Sequence, residues 1–270
     1  MQSKRSGEWV RPLRSALAIV GALLLVAFCM PPLSTWARRY EFVEATQFCV
    51  FAFWTPFLIM IAAPWDRLGM TSHETYAVTE DGERVSPVKL RWLDRCQLRR
   101  TSRGGQSRAI LGGVLFACLT IFWRMAPLVD GLVHHPWFVA LEAASLVGLG
   151  VILFSDLVES PPLRPRAPRP VRIGIAAVIM WSVWVVAYLY GMSHPSWYQA
   201  FHHFAGRGIS ESADQQLSAV VVWATSAAIF IPIVFWNLAR WFQSEEDPSD
   251  ELYRLVREER TRGFFGTREY

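Results

Sequence analysis

The residues best suited to metal chemistry are histidines that lie between strongly apolar segments: His134, His135, His194, His202 and His203. A neutral imidazole is a good ligand for copper or zinc, so two loops that bring these side chains together would form a site. The spacing is not diagnostic, because adjacent histidines point in different directions on a regular helix. Interfacial or solvated histidines are therefore the competing interpretation.

Softer ligands are predicted at a similar depth. Cys29 and Cys49 lie near the ends of two apolar segments, and Met30, Met125 and Met192 lie close to segment ends as well. Thiolate and thioether sulfur suit Cu(I), which makes copper a candidate cofactor. Cysteine and methionine are also ordinary packing residues, and no CxxC spacing is present. The two cysteines are weak candidates for a copper site, and a disulfide between them is supported no better.

Two carboxylates interrupt apolar segments, namely Glu44 and Glu142. An unpaired charge in hydrocarbon costs several kcal/mol, so each requires a proton or a partner. Arg124 and Arg39 are the candidate partners. Glu44 and Glu142 can equally be bridges between helices or parts of a functional site.

A polar group, Asp214-Gln215-Gln216, precedes an apolar run from Ser218 to Ala239. Polar side chains are best placed at the head of such a helix, where water remains. We therefore expect Asp214 to cap this helix and to favour the positive end of its dipole.

These residues are carried by long apolar segments, since 52% of the 270 residues are hydrophobic. Six segments are long enough to cross about 30 Å of hydrocarbon: residues 13–35, 42–64, 109–128, 138–156, 173–192 and 218–239. The pattern predicts an all-α, polytopic transmembrane helix bundle over residues 1–243. Residues 244–270 are predicted to form an amphipathic cytoplasmic tail.

Basic residues predict the orientation of the chain. Of the 27 Lys and Arg residues, all lie on one predicted side except Arg38, Arg39, Arg124 and Arg207. The positive-inside rule then places both termini in the cytoplasm of a bacterial cell, in a multi-pass plasma-membrane protein. A cleaved signal peptide is the alternative for the first segment, and cleavage would leave five spans.

Common catalytic patterns are missing from the sequence. It contains no HExxH, Walker lysine loop, GxSxG or dinucleotide fingerprint, which favours a non-enzymatic protein. The net charge of +4 is explained by the membrane topology and does not indicate nucleic-acid binding.

Two motifs stand out in the later and earlier apolar segments. The first comprises Asp214, Gln215, Gln216 and Trp223, and it is followed by Arg240-Trp241 and Glu245-Glu246. The second comprises Gln47 with Pro56 and Pro64 in the run Thr55 to Pro64. Together they resemble the motifs of the CtaG-like cytochrome c oxidase assembly factors. The resemblance covers residues 30–243 and implies a membrane-embedded assembly role with oxidase subunits as partners.

The chain departs from the family pattern where the family has histidines. Glu44 and Phe48 stand at two such positions, and Val139 and Ala143 stand beside the matching acid Glu142. Chemistry that depends on those histidines is not implied for this chain. We therefore expect a scaffold that acts near a copper-loading step, rather than a direct metal carrier. The alternative is a carrier or receptor for a small ligand, with Glu44 and Glu142 as the floor of an outward-facing cavity.

Overall fold

The computed structural model describes residues 6–63, 105–160, 165–193, 197–202 and 208–245. These residues are mostly helical and form no sheet. The helices are α1 (Ser6–Cys29), α2 (Leu33–Ala37), α3 (Glu41–Cys49), α4 (Thr55–Ala62), α5 (Gly105–Trp123), α6 (Ala126–His134), α7 (Phe138–Leu157), α8 (Arg169–Gly191) and α9 (Glu211–Glu245).

Six helical segments are long and apolar enough to cross a membrane, which confirms the predicted all-α membrane fold. They are Pro12–Cys29, Glu41–Ala62, Gln106–Trp123, Phe138–Leu157, Arg169–Gly191 and Glu211–Gln243. The first helix ends at Cys29, earlier than the predicted residue 35, and α2 follows as a separate short helix.

The second span contains a π-helical segment, Val50–Trp54, between α3 and α4. Pro56 follows this segment at the start of α4. Proline has no backbone N–H and its ring collides with the preceding turn of a regular helix, and a π-helical turn is one way to absorb that disturbance. Pro56 of the family motif therefore accounts for the π-helical segment in the second span.

The surface of Pro56 is covered by Gly150 of α7. A methyl group placed on Gly150 would lie 2.7 Å from Cγ and 3.0 Å from Cβ of Pro56, and 3.3 Å from the carbonyl oxygen of Ala52. Only a glycine allows α7 to approach the irregular part of the second span this closely.

An aromatic core joins these helices at their centres. The ring of Phe53 lies 6.2 Å from Phe116 and 5.7 Å from Phe230, and Phe230 stacks on Phe154 at 5.9 Å. Helix α9 packs most extensively on α8 and also contacts α3, while α1 packs on α4. The bundle therefore closes by bringing the last span against the second.

Helix α9 begins seven residues before the predicted start of the sixth span. The backbone N–H of Ala213 donates to Oγ of Ser210 at 3.2 Å, so Ser210 caps this helix. With 35 residues, α9 is about 52 Å long and extends beyond the hydrocarbon layer.

The amphipathic tail predicted for residues 244–270 lies outside the described residues from residue 246 onward. His194 and His203 also lie outside the described residues.

Candidate functional site

A group of buried charged residues lies where α1, α5 and α8 end and where α3, α7 and α9 begin. We call it the Arg124 cluster; its members are 1–4% exposed and comprise Arg124, Glu41, Glu44, Glu142 and Asp214. Glu41 and Glu44 lie on α3, and the other three lie at the ends of different helices, so the packing of the bundle brings the five residues together.

Arg124 is the cation of this cluster. Its Nη1 lies 2.5 Å from Oε2 of Glu44, and its Nη2 donates to Oγ of Ser218 at 3.4 Å. The guanidinium also lies 5.0 Å from the ring centre of Tyr190 and 5.1 Å from that of Tyr198. The predicted pairing of Glu44 with Arg124 is therefore confirmed, and the aromatic rings add cation–π contacts.

Asp214 caps a different helix from the one predicted. It lies inside the first turn of α9, and its two carboxylate oxygens accept hydrogen bonds at 3.0 Å from the backbone N–H groups of Glu41 and Phe42. The prediction that Asp214 caps its own helix is wrong, because Ser210 already does so. Asp214 does lie in the first turn of α9, where its charge favours the dipole of that helix as predicted, and it also meets the positive dipole end of α3.

Two of the three family-motif glutamines, Gln215 and Gln47, bind backbone groups. Nε2 of Gln215 donates to the carbonyl oxygens of Tyr190, at 2.5 Å, and Ser193, at 3.0 Å, while its Oε1 accepts from the N–H of Trp197 at 2.8 Å. Nε2 of Gln47 donates to the carbonyl oxygen of Phe28 at 2.6 Å. Gln215 thus holds the loop after α8, and Gln47 holds the end of α1.

Tyr198 covers the cluster from the loop side. Its side chain is fully buried, and its hydroxyl donates to the carbonyl oxygen of Arg124 at 3.1 Å. Burial raises the pKa of the Tyr198 phenol well above its usual value, although the charge of Arg124 acts in the opposite direction, so the hydroxyl keeps its proton and its hydrogen bond. Asp130 holds the same loop by accepting from the N–H of Ala200 at 2.9 Å.

Several oxygens of the cluster have no hydrogen-bond partner among the described residues. They are Oε1 of Glu41, Oε1 of Glu44 and both carboxyl oxygens of Glu142. Glu44 and Glu142 are also almost completely buried, so in this conformation neither forms the floor of an outward-facing cavity.

The candidate metal ligands are dispersed over the described part of the chain. His134, His135 and Cys29 are exposed, His202 is partly exposed beside Glu211, and Cys49 is buried. Cys29 and Cys49 are free thiols, so the weakly supported disulfide between them is not formed. Within the described residues, no three His, Cys, Asp or Glu side chains are grouped so that they could hold a metal ion.

Gln216 and Trp223 face away from the cluster, into an open apolar groove of about 590 Å³ between α8 and α9. The indole of Trp223 packs against that of Trp184 at 5.2 Å, and Nε1 of Trp184 donates to Oγ of Ser226 at 3.0 Å. These two motif residues therefore belong to a different surface from Asp214 and Gln215.

Sequence reasoning missed Glu41, Tyr190 and Tyr198 as members of the site. Glu41 lies three residues before Glu44, which is the spacing of one helix face, and this signal was available. No sequence pattern indicated the two tyrosines. Tyr198 lies in a loop and Tyr190 at the end of α8, and only the tertiary fold places their rings beside Arg124.

The fold and the cluster define a polytopic helical membrane protein that holds a charged network at one end of its bundle. Its sequence matches the model of the cytochrome c oxidase caa3 assembly factor family (Caa3_CtaG) over residues 1–244, and the chain belongs to that family. The match extends the resemblance seen at residues 30–243 to include the first span. The comparisons found no matching curated protein and no matching solved structure.

Proposed function

We propose that this protein assists the maturation of cytochrome c oxidase in the bacterial plasma membrane, as a non-enzymatic scaffold that acts near the copper-loading step. The family supports an assembly role. Oxidase subunits are the proposed partners, and the lipid bilayer is the proposed environment of the six apolar helices.

The ion pair between Glu44 and Arg124 is the observation that favours a scaffold over a metal carrier. Glu44 stands where the resemblance leads us to expect a histidine, and its carboxylate is bound to Arg124 at 2.5 Å. A carboxylate in a buried ion pair is poorly available as a ligand, because breaking the pair leaves a charge unpaired.

The other three histidine positions are occupied by apolar residues. Phe48, Val139 and Ala143 are buried in the core that surrounds the cluster. These residues stabilise the helix packing and offer no donor atom to a metal. The loss of these donor atoms supports a scaffold rather than a metal carrier.

A deletion strain tests the assembly role. We expect lower oxidase activity and less assembled oxidase in its membranes, with recovery when the gene is restored. Unchanged oxidase content in the deletion strain would contradict the assembly role.

Copper measurements separate scaffolding from carriage of the metal. Purified protein should hold less than one tightly bound copper ion per chain, and changing His202 and His203 together to Ala should alter this little. Stoichiometric copper that is lost in the double variant would instead make the loop after α8 a metal site.

A further inference from the structure

Glu142 is the member of the Arg124 cluster whose charge is least compensated. It is the fifth residue of the membrane span α7, is 1% exposed, and has no partner for either carboxyl oxygen among the described residues. The hydroxyl of Ser145, three residues further along α7, is engaged elsewhere. The hydroxyl of Ser145 donates to the backbone oxygen of Glu142 at 3.0 Å and accepts from Nε1 of Trp123 at 3.0 Å.

The charges around Glu142 do not offer it a free cation. The charged groups that interact electrostatically with its carboxyl group are Glu44 of α3 and Arg124, which follows α5. Glu44 is a like charge, and it already holds Nη1 of Arg124. An ionised Glu142 would therefore add a second carboxylate beside a cation that is already paired.

Among the described residues, the remaining elements packed against α7 supply no further cation near Glu142. Arg108 of α5 and both Arg169 and Arg172 of α8 lie at the ends of their helices away from Arg124 and Tyr190. The side chains of α1 and α3 that interact electrostatically with Glu142, apart from Glu44, are the thiols of Cys29 and Cys49, and neither is a cation. On α6, Asp130 is bound to the loop at Ala200, and on α8 the ring of Tyr190 lies against Arg124. The π-helical segment and α4, residues 50–62, contain no titratable side chain.

We propose that the carboxyl group of Glu142 is a proton-binding site inside the membrane, and that it holds its proton at neutral pH. A buried carboxylate without a hydrogen bond or a partner is far less stable in hydrocarbon than the neutral acid. The bound proton leaves Arg124 to Glu44, and it lowers the net negative charge of the cluster. This property goes beyond the proposed role in oxidase assembly and does not depend on it.

Infrared spectroscopy tests the proposal on the full-length protein in lipid nanodiscs. At neutral pH the wild-type protein should show the C=O stretch of a protonated carboxyl group, with a shift on exchange into D₂O. The Glu142→Gln variant should lose this component of the band. Glu211→Gln is the matched control: Glu211 is exposed on the first turn of α9, and its removal should leave the protonated band intact.

The pH dependence of thermal stability gives a second readout. The unfolded chain releases the Glu142 proton in the ordinary acid range, whereas the folded chain keeps it. Stability is therefore greatest at acid pH, falls as the pH rises above the range in which the unfolded carboxyl ionises, and levels off once the folded carboxyl has ionised as well. Glu142→Gln should flatten this fall. Glu142→Asp keeps a titratable group and should show a protonated band at a changed frequency.

The infrared band can reject the proton site in two ways. A protonated-carboxyl band of the same intensity in wild type and Glu142→Gln would overturn it. An absent band in the wild-type protein at neutral pH would show an ionised carboxylate, and would overturn it even if the Gln variant does not fold.

Discussion

The carboxylate of Asp214 is bound to the backbone of Glu41, 173 positions earlier in the chain, at 3.0 Å. Its second oxygen accepts from the next N–H group, that of Phe42, at the same distance. The first turn of α9 thereby caps the N-terminus of α3, and one side chain joins the last span to the second.

Replacement of Asp214 by Ala should destabilise the protein by roughly 2 kcal/mol, because a helix cap is lost and two N–H groups lose their acceptor. Asp214→Asn should cost less, since the amide oxygen still accepts one hydrogen bond. Thermal unfolding of purified protein in detergent measures both effects. Glu211→Ala, an exposed change on the same turn, is the control, and equal losses in Asp214→Ala and the control would rule out the cross-helix cap.

The Arg124–Glu44 pair should behave as one unit. Arg124→Met leaves Glu44 buried without a cation, and Glu44→Leu leaves Arg124 without its carboxylate, so each single change should cost roughly 3–5 kcal/mol. The double variant should be more stable than the sum of the two losses predicts, because neither charge is then left unpaired. A double-mutant cycle of unfolding free energies checks this, and strictly additive losses would mean that the pair is not coupled.

Hydropathy was sufficient to predict the six spans, because crossing hydrocarbon requires about 20 apolar residues whatever the tertiary fold. The cost of burying charge likewise predicted that Glu44 needs a partner and suggested Arg124. The cap formed by Asp214 could not be predicted in this way. A carboxylate near the start of one helix fits a local cap equally well, and only the packing of α9 against α3 places it on Glu41.

Loop residues are a second point at which sequence reasoning reached its limit. Tyr198 lies between polar and aromatic residues that read as an exposed loop, yet it is fully buried over Arg124. Gln215 and Asp130 fix this loop by side-chain hydrogen bonds to its backbone, over 18 and 70 positions. Such contacts leave no periodic pattern in the sequence.

Gly150→Ala should destabilise the bundle by about 1–3 kcal/mol, because the new methyl group would lie 2.7 Å from Cγ of Pro56. Gly148→Ala is a closely matched control on the same helix, since a methyl group there meets nothing within 4 Å. This control should be neutral or more stable, as alanine has the higher helix propensity. The melting temperatures of the two variants measure the difference. If Gly150→Ala is as stable as Gly148→Ala, the contact between Gly150 and Pro56 is not tight enough to require a glycine.

The two glutamines of the Asp214-Gln215-Gln216 motif should separate into a structural and a surface role. Gln215→Ala removes bonds to the backbone of Tyr190, Ser193 and Trp197, and should cost roughly 1–3 kcal/mol. Gln216→Ala changes an exposed side chain at the edge of the groove, so its effect on stability should stay within about 0.5 kcal/mol. Protein abundance in membranes and melting temperature measure the difference.

Replacement of all three motif residues by Ala should lower abundance and melting temperature through Asp214 and Gln215, while Trp197→Ala should have a smaller effect. Gln215 binds the backbone N–H of Trp197 and not its indole, and the alanine variant keeps that N–H group.

Oxidase content in cells that carry each variant gives the complementary measurement. If Gln216→Ala leaves stability unchanged but oxidase assembly fails, Gln216 and the groove between α8 and α9 form a surface for a partner. If the triple variant also keeps its normal melting temperature and abundance while assembly fails, the motif does not anchor the helix, and all three residues act through that partner.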